Sequence, residues 1–224
     1  LIHIMGLYAQ FGLDDFIVLT GYKSEIINEY FSSNSQGKIY ENENIKQYKY
    51  KIKIKNFISD IKISLIYTGK NTMTGGRLKK AKKFIADDRF LLTYGDGISN
   101  VNIDKLRKFH QSHNKIASLT AVRPPVRFGE LQLNGDSVIE FKEKPRMQKG
   151  WINGGFFVFE RKIFDFIEDD SIMLEREPLE RIVELNQLKA FKHDEFWQCM
   201  DTKRDKDALE KMWMVNQIPW IKKI

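Results

Sequence analysis

The chain has 224 residues, of which 42% are hydrophobic and 12% aromatic, and its formal net charge at pH 7 is +7. This length is enough for one large domain with its own core, and the composition is typical of a folded globular protein. No apolar run approaches the roughly 20 residues of a membrane span, and no basic-then-apolar signal segment opens the chain, so we expect a soluble, cytoplasmic protein with no membrane partner. A single cysteine excludes an internal disulfide framework and a multi-cysteine zinc site.

Much of the excess positive charge lies in one stretch. Between residues 46 and 55, lysines alternate with tyrosines and isoleucines. This period of two predicts an amphipathic β-strand with a lysine-coated outer face, and such lysines discourage pairing between sheet edges. No recognised nucleic-acid-binding module accompanies the charge, so we expect no nucleic acid as a partner.

Helical and strand patterns alternate along the chain. The chain starts with a predicted amphipathic helix over residues 1–12 that ends at a glycine cap, followed by a strand over 15–20. A helix over 23–31 comes next, and the residues expected on its packed side are Ile26, Ile27, Tyr30 and Phe31. The polar segment 32–44 and the lysine-rich strand follow. Further strands are predicted over 61–67, 115–122, 128–133, 137–142, 152–159 and 196–200, and the stretch 90–98 is predicted to be a buried strand that leads into a turn. Further helices are predicted over 75–85, 103–113, 161–167, 177–188 and 203–214. The alternation indicates a doubly wound α/β fold.

Two glycine-rich turns stand at the entrances of elements. Gly75 and Gly76 lie in the first turn of a helix for which Thr74 is a plausible N-cap, and their backbone N–H groups would be accessible to an anion or a base edge. Asn153 and Gly154 lead into a strongly apolar strand at a point where a ligand could approach the backbone closely. Packing or turn geometry is the alternative explanation for both pairs.

Two aspartates are predicted at strand ends. Asp96 follows an apolar run and stands between Gly95 and Gly97, whereas Asp201 follows residues 196–200 and precedes a helix that Thr202 would cap. Ligands of open α/β sheets bind beyond the carboxyl ends of the strands, so both carboxylates are candidate site residues. Turn chemistry for Gly-Asp-Gly and helix capping for Asp201 are the alternatives.

A third strand, 137–142, ends at Glu143, Lys144 and Pro145, which leave a carboxylate and an ammonium group at the same rim. A charged strand end is the simpler interpretation of these three residues. Two carboxylates together with phosphate oxygens and waters suit Mg²⁺. The combination therefore indicates a phosphoryl or nucleotidyl transfer site.

These stretches, in this order, resemble the sugar-1-phosphate nucleotidylyltransferase family, and most closely its glucose-1-phosphate cytidylyltransferase branch. The resemblance covers nearly the whole chain, and the stretches that carry it are Thr72–Leu78, Tyr94–Gly97, Arg127–Gly129, Glu143–Pro145, Asn153–Phe157 and Trp197–Asp205. It implies a Rossmann-like, doubly wound mixed sheet with a small β-rich sugar-binding part. It also implies transfer from CTP to α-D-glucose 1-phosphate, which gives CDP-glucose and pyrophosphate.

The resemblance also implies roles for individual residues. Asp96 and Asp201 would bind Mg²⁺, and Lys144 would hold the sugar phosphate as a third catalytic residue. The sugar hydroxyls would be bound by Glu143, Asn153 and Gly154, the cytosine pocket would be lined by Gly75, Gly76 and Arg77, and the residues beside the nucleotide would be Tyr94 and Gly95. A homo-oligomer and a part in bacterial surface-polysaccharide synthesis, such as that of O-antigen, are implied as well.

We expect one nucleotidyltransferase domain over residues 1–224. Its parts would be a nucleotide-binding part over 1–122, a sugar-phosphate-binding part over 123–200 and a C-terminal helix over 201–224. The family's glycine-rich loop after the first strand has no counterpart in the chain. The expectation is therefore an N-terminal truncation with the first strand missing, or else a decayed copy of such an enzyme. Either would impair catalysis, and the loss of a strand would expose a sheet edge.

Three alternative functions stay open at this point. The same reaction with UTP or dTTP is the nearest, and a non-catalytic protein that binds sugar nucleotides is the second. A basic nucleic-acid-binding protein is the third, and salt-dependent DNA affinity would be its mark. His110 and His113 share a helix face, but no carboxylate stands near them in the sequence, so we expect them to be exposed polar residues.

Overall fold

A computed structural model describes residues 1–123, 130–142 and 150–221. The helices of this part of the chain are α1 (Ile2–Ala9), α2 (Ser24–Asn34), α3 (Thr74–Ala81), α4 (Ile103–Gln111), α5 (Glu177–Glu184) and α6 (Lys203–Met214). Its strands are β1 (Asp15–Thr20), β2 (Gly37–Glu41), β3 (Ile45–Ile54), β4 (Phe57–Tyr67), β5 (Arg89–Thr93), β6 (Gly97–Ser99), β7 (Ala117–Val122), β8 (Glu130–Asn134), β9 (Ser137–Lys142), β10 (Ile152–Glu160), β11 (Leu188–His193) and β12 (Trp197–Cys199). None of the helices described is long and apolar enough to cross a membrane.

Two four-stranded sheets contain most of the strands. The first has the order β1-β4-β3-β2, with β1 parallel to β4 and the other pairs antiparallel. The second has the order β11-β7-β10-β5, with β11 parallel to β7 and β10 antiparallel to both of its neighbours. Two shorter ladders, β12-β6 and β8-β9, complete the described strands. The predicted mixed α/β class is confirmed, and β1 and β5 are end strands of their sheets within the residues described.

Helix α1 packs between the two large sheets. Its Leu7 and Tyr8 are 3% and 4% exposed and share a core cluster with Phe156 and Val158 of β10. Met5, from another side of the helix, belongs to the cluster that covers β3 and β4. Because both sides of α1 are buried, its apolar residues are not confined to one face, so the prediction of an amphipathic helix was wrong in this respect.

The lysine-rich strand is confirmed as β3, but its place in the sheet differs from the expectation. The tyrosines and isoleucines at alternate positions, among them Tyr48 at 2% and Ile52 at 0%, are buried. However, β3 lies between β4 and β2, so its lysines do not protect a sheet edge. The end strand on this side of the sheet is β2, whose residues are all exposed. A strand without a buried face lacks the alternation that would reveal it in a sequence.

The packed side of α2 is narrower than predicted. Phe31 is 1% exposed and its ring contacts the ring of Tyr50 edge-on, with the centroids 5.4 Å apart. Ile26 and Tyr30, however, are 56% and 45% exposed. The expectation was therefore wrong for Ile26. Tyr30 does lie on the packed side, because its hydroxyl is 3.1 Å from the Tyr50 hydroxyl of β3.

The second half of the chain holds two further differences. The segment 161–167, predicted as an α-helix, forms a 3₁₀ helix over Arg161–Phe166, and the predicted helix 177–188 ends at Glu184 because β11 begins at Leu188. The hairpin β8–β9 and the capping box are confirmed: Thr202 Oγ1 accepts a hydrogen bond from the Asp205 N–H at 3.2 Å, and Asp205 Oδ2 accepts one from the Thr202 N–H at 3.0 Å.

Candidate active site

The two predicted metal-binding aspartates lie at the same end of the β6–β12 ladder. The two strands are antiparallel with Gly97 opposite Cys199, so Asp96 comes just before one strand and Asp201 just beyond the end of the other. The Met200 N–H donates to the Asp96 carbonyl oxygen at 2.9 Å, which continues the ladder beyond its last pair. Both aspartates are exposed. The strand pairing thus brings together two residues that are 105 positions apart in the sequence.

This donor set fits Mg²⁺, which binds through one or two carboxylates and takes its remaining ligands from phosphates and water. Asp96 and Asp201 would be the residues that hold it. Within ranges 1–123, 130–142 and 150–221, no group of three or more His, Cys, Asp or Glu side chains could hold a metal ion. A cation at the aspartate pair would therefore depend on its substrate for part of its coordination.

Trp197 connects the aspartate ladder to the strand that carries the Asn-Gly-Gly turn. Its indole N–H donates to the Gly154 carbonyl oxygen at 2.8 Å. A Cβ atom at Gly154 would lie 2.7 Å from a methyl carbon of Val122 and 2.9 Å from the Thr120 carbonyl oxygen, so only glycine fits against β7 at this position. The predicted sugar-binding turn and the predicted metal site are therefore neighbours in the fold.

Tyr94 stands where β5 ends and the Asp96 turn begins. Its hydroxyl donates to the Glu175 carboxylate, and its ring packs on Gly155, which has a φ of +75°. Burial raises the pKa of the Tyr94 phenol well above its usual value, and the Glu175 carboxylate raises it further, whereas a hydrogen bond from the Asn153 side chain opposes the rise. The hydroxyl is therefore a permanent donor at neutral pH.

The entrance of α3 differs from the prediction. The helix begins at Thr74 with Met73 as its N-cap, so Thr74 is not the cap. The N–H groups of Gly75 and Gly76 both donate to the Ile172 carbonyl oxygen, at 3.0 and 3.3 Å. They are thus not accessible to an anion or a base edge, because the segment before α5 packs against the two glycines.

Arg77, the next residue of α3, contacts the ends of two parallel strands. Its guanidinium donates to the Thr20 carbonyl oxygen at 2.9 Å, to the Thr68 hydroxyl at 2.6 Å and to the Gly69 carbonyl oxygen at 3.0 Å. It also lies against Gly21, where any side chain would collide with it. In this structure Arg77 organises the carboxyl ends of β1 and β4.

Three predicted site residues and one stretch that carried the family resemblance remain to be described. Gly95 is exposed and has open space around it. Glu143, Lys144 and the stretch Arg127–Gly129 lie outside the described residues. Of the predicted site residues, the structure brings five together around the Asp96 turn: Tyr94, Asp96, Asn153, Gly154 and Asp201.

The histidine prediction was wrong for His110, which is 0% exposed. Its Nδ1 lies 2.9 Å from the Ser118 hydroxyl and its Nε2 lies 3.0 Å from a carboxylate oxygen of Glu160. Burial lowers the pKa of His110, although Glu160 acts in the opposite direction. The carboxylate partner is 50 residues away along the chain and so was invisible to a local pattern. Glu160 ends β10, whereas Asn153 is near its start, so this cluster lies at the other end of the strand from the candidate site.

The mixed α/β fold carries two carboxylates at strand ends, which is where open α/β sheets bind their ligands. The solved structures that share this fold are nucleotidyltransferases of the nucleotide-diphospho-sugar transferase type. A family model described as "Nucleotidyl transferase" matches residues 1–214. The chain therefore belongs to the nucleotidyl transferase family.

Relatives with sequence similarity agree with this assignment. The chain is 40% identical over 223 residues to the "Glucose-1-phosphate cytidylyltransferase" of Salmonella typhimurium, which covers 97% of this chain and 85% of that protein. It is 35% identical over 219 residues to the "Probable glucose-1-phosphate cytidylyltransferase" of Bacillus subtilis, with the same coverage. The crystal structure of HddC from Yersinia pseudotuberculosis shares the fold, with a TM-score of 0.64 and 20% identity over 94% of this chain and 84% of that one.

Proposed function

We propose that this chain transfers a cytidylyl group from CTP to α-D-glucose 1-phosphate and produces CDP-glucose and pyrophosphate. The observation that carries the proposal is the 40% identity, across 97% of the chain, to an enzyme of that name. The aspartate pair adds chemical support, because two carboxylates at one ladder end are what a cation-assisted transfer requires. The solved structures show the fold alone, so the choice of CTP over UTP or dTTP rests on the relatives.

The reaction makes modest chemical demands on the protein. A phosphate oxygen of glucose 1-phosphate attacks the α-phosphorus of CTP, and the bond from that phosphorus to the leaving pyrophosphate breaks. A phosphate monoester has its second pKa near 6, so the attacking oxygen is mostly deprotonated at pH 7 and needs no general base. The remaining work is to bring two polyanions together in line and to offset the charge that develops.

In this proposal the two aspartates hold Mg²⁺. When bound, the cation would neutralise charge on the triphosphate and on the departing pyrophosphate. Lys144 would hold the sugar phosphate through its ammonium group. Glu143, Asn153 and Gly154 would bind the sugar hydroxyls, and the place of Asn153 next to Tyr94 supports a sugar subsite beside the nucleotide.

The base would bind on the other side of the Asp96 turn. Tyr94 and the open space at Gly95 would lie beside the nucleotide. The N–H groups of Gly75 and Gly76 are already bonded, so these glycines would shape the cytosine pocket by letting the segment before α5 approach closely. Arg77 would shape it by fixing the end of β1.

The proposal extends to organisation. Residues 1–122 would supply the nucleotide-binding part, 123–200 the sugar-phosphate part and 201–224 a C-terminal helix. We expect a homo-oligomer, which the relatives' family implies. We place the reaction in the cytoplasm, where CTP is made, and its product would enter surface-polysaccharide synthesis.

The test is release of pyrophosphate from CTP, UTP and dTTP in the presence of glucose 1-phosphate and Mg²⁺, with CDP-glucose binding measured by calorimetry in parallel. Turnover that is fastest with CTP supports the proposal. Faster turnover with UTP or dTTP would overturn the assignment of the base. Binding of CDP-glucose without any pyrophosphate release would make the chain a sugar-nucleotide-binding protein and overturn the transfer reaction.

The role of the aspartates has its own variant. Asp96→Asn keeps the shape of the side chain and removes its charge, and we expect it to lower turnover about a hundredfold or more. The matched control is Asp104→Asn, whose carboxylate lies on the exposed surface of α4 beside Arg107 at 3.4 Å. Equal activity of both variants would exclude Asp96 from the site.

A further inference from the structure

Glu175 joins two parts of the candidate site that are far apart in the sequence. Its carboxylate oxygen Oε2 accepts a hydrogen bond from the Thr74 hydroxyl at 2.6 Å, and Oε1 accepts one from the Tyr94 hydroxyl. Thr74 is the first residue of α3, and Tyr94 directly follows β5, just before the Asp96 turn. One partly buried carboxylate thus bridges the entrance of the helix and the turn that carries the predicted metal ligand.

Each end of this bridge is anchored by backbone contacts. On the helix side, the Thr74 hydroxyl accepts a hydrogen bond from the Leu174 N–H at 2.9 Å, and the Gly75 N–H donates to the Ile172 carbonyl oxygen at 3.0 Å. The segment 172–175 is therefore seated on the first turn of α3. Its last residue reaches out of this contact toward Tyr94.

On the strand side, the Tyr94 N–H donates to the Gly155 carbonyl oxygen at 3.3 Å. A Cβ atom at Gly155 would lie 2.7 Å from the nearest carbon of the Tyr94 ring. The Tyr94 hydroxyl also meets the side chain of Asn153. The position of the Tyr94 ring is thus linked to the Asn-Gly-Gly turn on one side and to Glu175 on the other.

We propose that Glu175 is a positioning residue for the transfer reaction. Its carboxylate holds the Tyr94–Asp96 turn at a fixed position relative to the first turn of α3. This inference rests on the proposed function. Hydrogen bonds to an ionised acceptor are stronger and shorter than neutral ones, and a single carboxylate with two such bonds fixes the distance between both donors. Glu175 itself need not touch the substrate. Its effect is to keep the turn that carries Asp96 aligned with the nucleotide-binding side of the site.

The first experiment measures amide hydrogen exchange without substrates. Glu175→Ala removes both acceptors, and we expect exchange at least tenfold faster both at the α3 entrance, residues 74–76, and at Tyr94, with no change in β3 or β4. Glu180→Gln is the control, because it lies on the exposed side of α5. Faster exchange at only one of the two sites would overturn the bridge, and so would a control that behaves like the variant.

The second experiment separates alignment from stability through kinetics. We expect Glu175→Ala to lower kcat at least tenfold while KM for glucose 1-phosphate changes less than threefold, and Glu175→Gln, which keeps one acceptor oxygen, to recover part of kcat. Tyr94→Phe should reproduce part of the loss, and combined with Glu175→Ala it should add little, because both remove the same hydrogen bond. Unchanged kcat in Glu175→Ala, or fully additive losses, would refute the positioning role.

The two experiments keep the inference apart from the proposed function. If the wild-type chain releases no pyrophosphate from any nucleotide, the transfer proposal fails, and exchange still decides whether the bridge exists. If wild type turns over and Glu175→Ala equals it, the transfer proposal stands and the positioning role fails.

Discussion

Gly76→Ala sets two opposing effects against each other at the entrance of α3. Gly76 lies inside the helix, where alanine is favoured over glycine by about 1 kcal/mol. A Cβ atom at this position, however, would lie 2.5 Å from the Cα, 2.6 Å from the carbonyl oxygen and 2.8 Å from the carbonyl carbon of Asp170. All three are backbone atoms, so no side-chain rotation relieves the collision.

The collision also affects neighbouring contacts. The Asp170 carbonyl oxygen accepts a hydrogen bond from the Met73 N–H at 2.9 Å, and the Asp170 carboxylate pairs with Lys80. Moving Asp170 away from Gly76 would strain both. Overpacking of a well-packed site costs about 1–3 kcal/mol. Three backbone contacts below 3 Å place Gly76→Ala in the upper part of that range, at about 2–3 kcal/mol, which exceeds the gain from helix propensity. We therefore expect a net loss of about 1–2 kcal/mol, with the propensity gain already subtracted.

The assay is urea denaturation followed by far-ultraviolet circular dichroism. With a slope of about 2–3 kcal/mol per M urea, this loss moves the midpoint down by roughly 0.3–1 M. Gly95→Ala is the control, because a Cβ atom there would have no other atom within 4 Å, and its midpoint should stay within about 0.2 M of the wild-type value. A Gly76→Ala midpoint equal to or above that of wild type would refute the packing argument.

Three further predictions follow from local contacts. Thr202→Ala removes the N-cap of α6 and should lower the free energy of unfolding by about 1 kcal/mol. Urea denaturation measures this loss, and Thr202→Ser should restore the wild-type value. An unchanged urea midpoint in Thr202→Ala would contradict the prediction. Trp197→Phe removes the hydrogen bond to Gly154, and we expect about a tenfold loss of turnover, or roughly 1.4 kcal/mol, without loss of nucleotide binding; full turnover would show that the bond does not align the site. Burial lowers the pKa of His110 in the folded protein, so the unfolded chain binds a proton at this side chain more readily than the folded chain does. The stabilisation that neutral His110 contributes is therefore present above about pH 6.5. It is lost as the pH falls toward the folded-state pKa. Urea midpoints between pH 7.5 and 5.5 should fall less steeply in His110→Gln than in wild type, and equal slopes would contradict the assignment.

The sequence alone determined the features that depend on local pattern. The alternation of tyrosine and isoleucine with lysine produced β3 because one face of that strand is buried. Three other features were predicted because each is set by residues within a few positions of one another. They are the capping box at Thr202, the Asn-Gly turn of the β8–β9 hairpin and the strand before Asp96. Ordered motifs along the chain were enough to indicate the nucleotidyl transferase family.

Only the tertiary structure decided which residues meet. Asp96 and Asp201 become neighbours because β6 pairs with β12, and no local pattern states that pairing. The N–H groups of Gly75 and Gly76 are bonded because Ile172, from a distant part of the chain, packs on them. Glu175 had no signal in the sequence, since a glutamate just before a helix with charged neighbours is ordinary until the fold brings two hydroxyls to its oxygens. Local sequence fixes backbone conformation, whereas long-range hydrogen bonds form only after the sheets have set the distance between their partners.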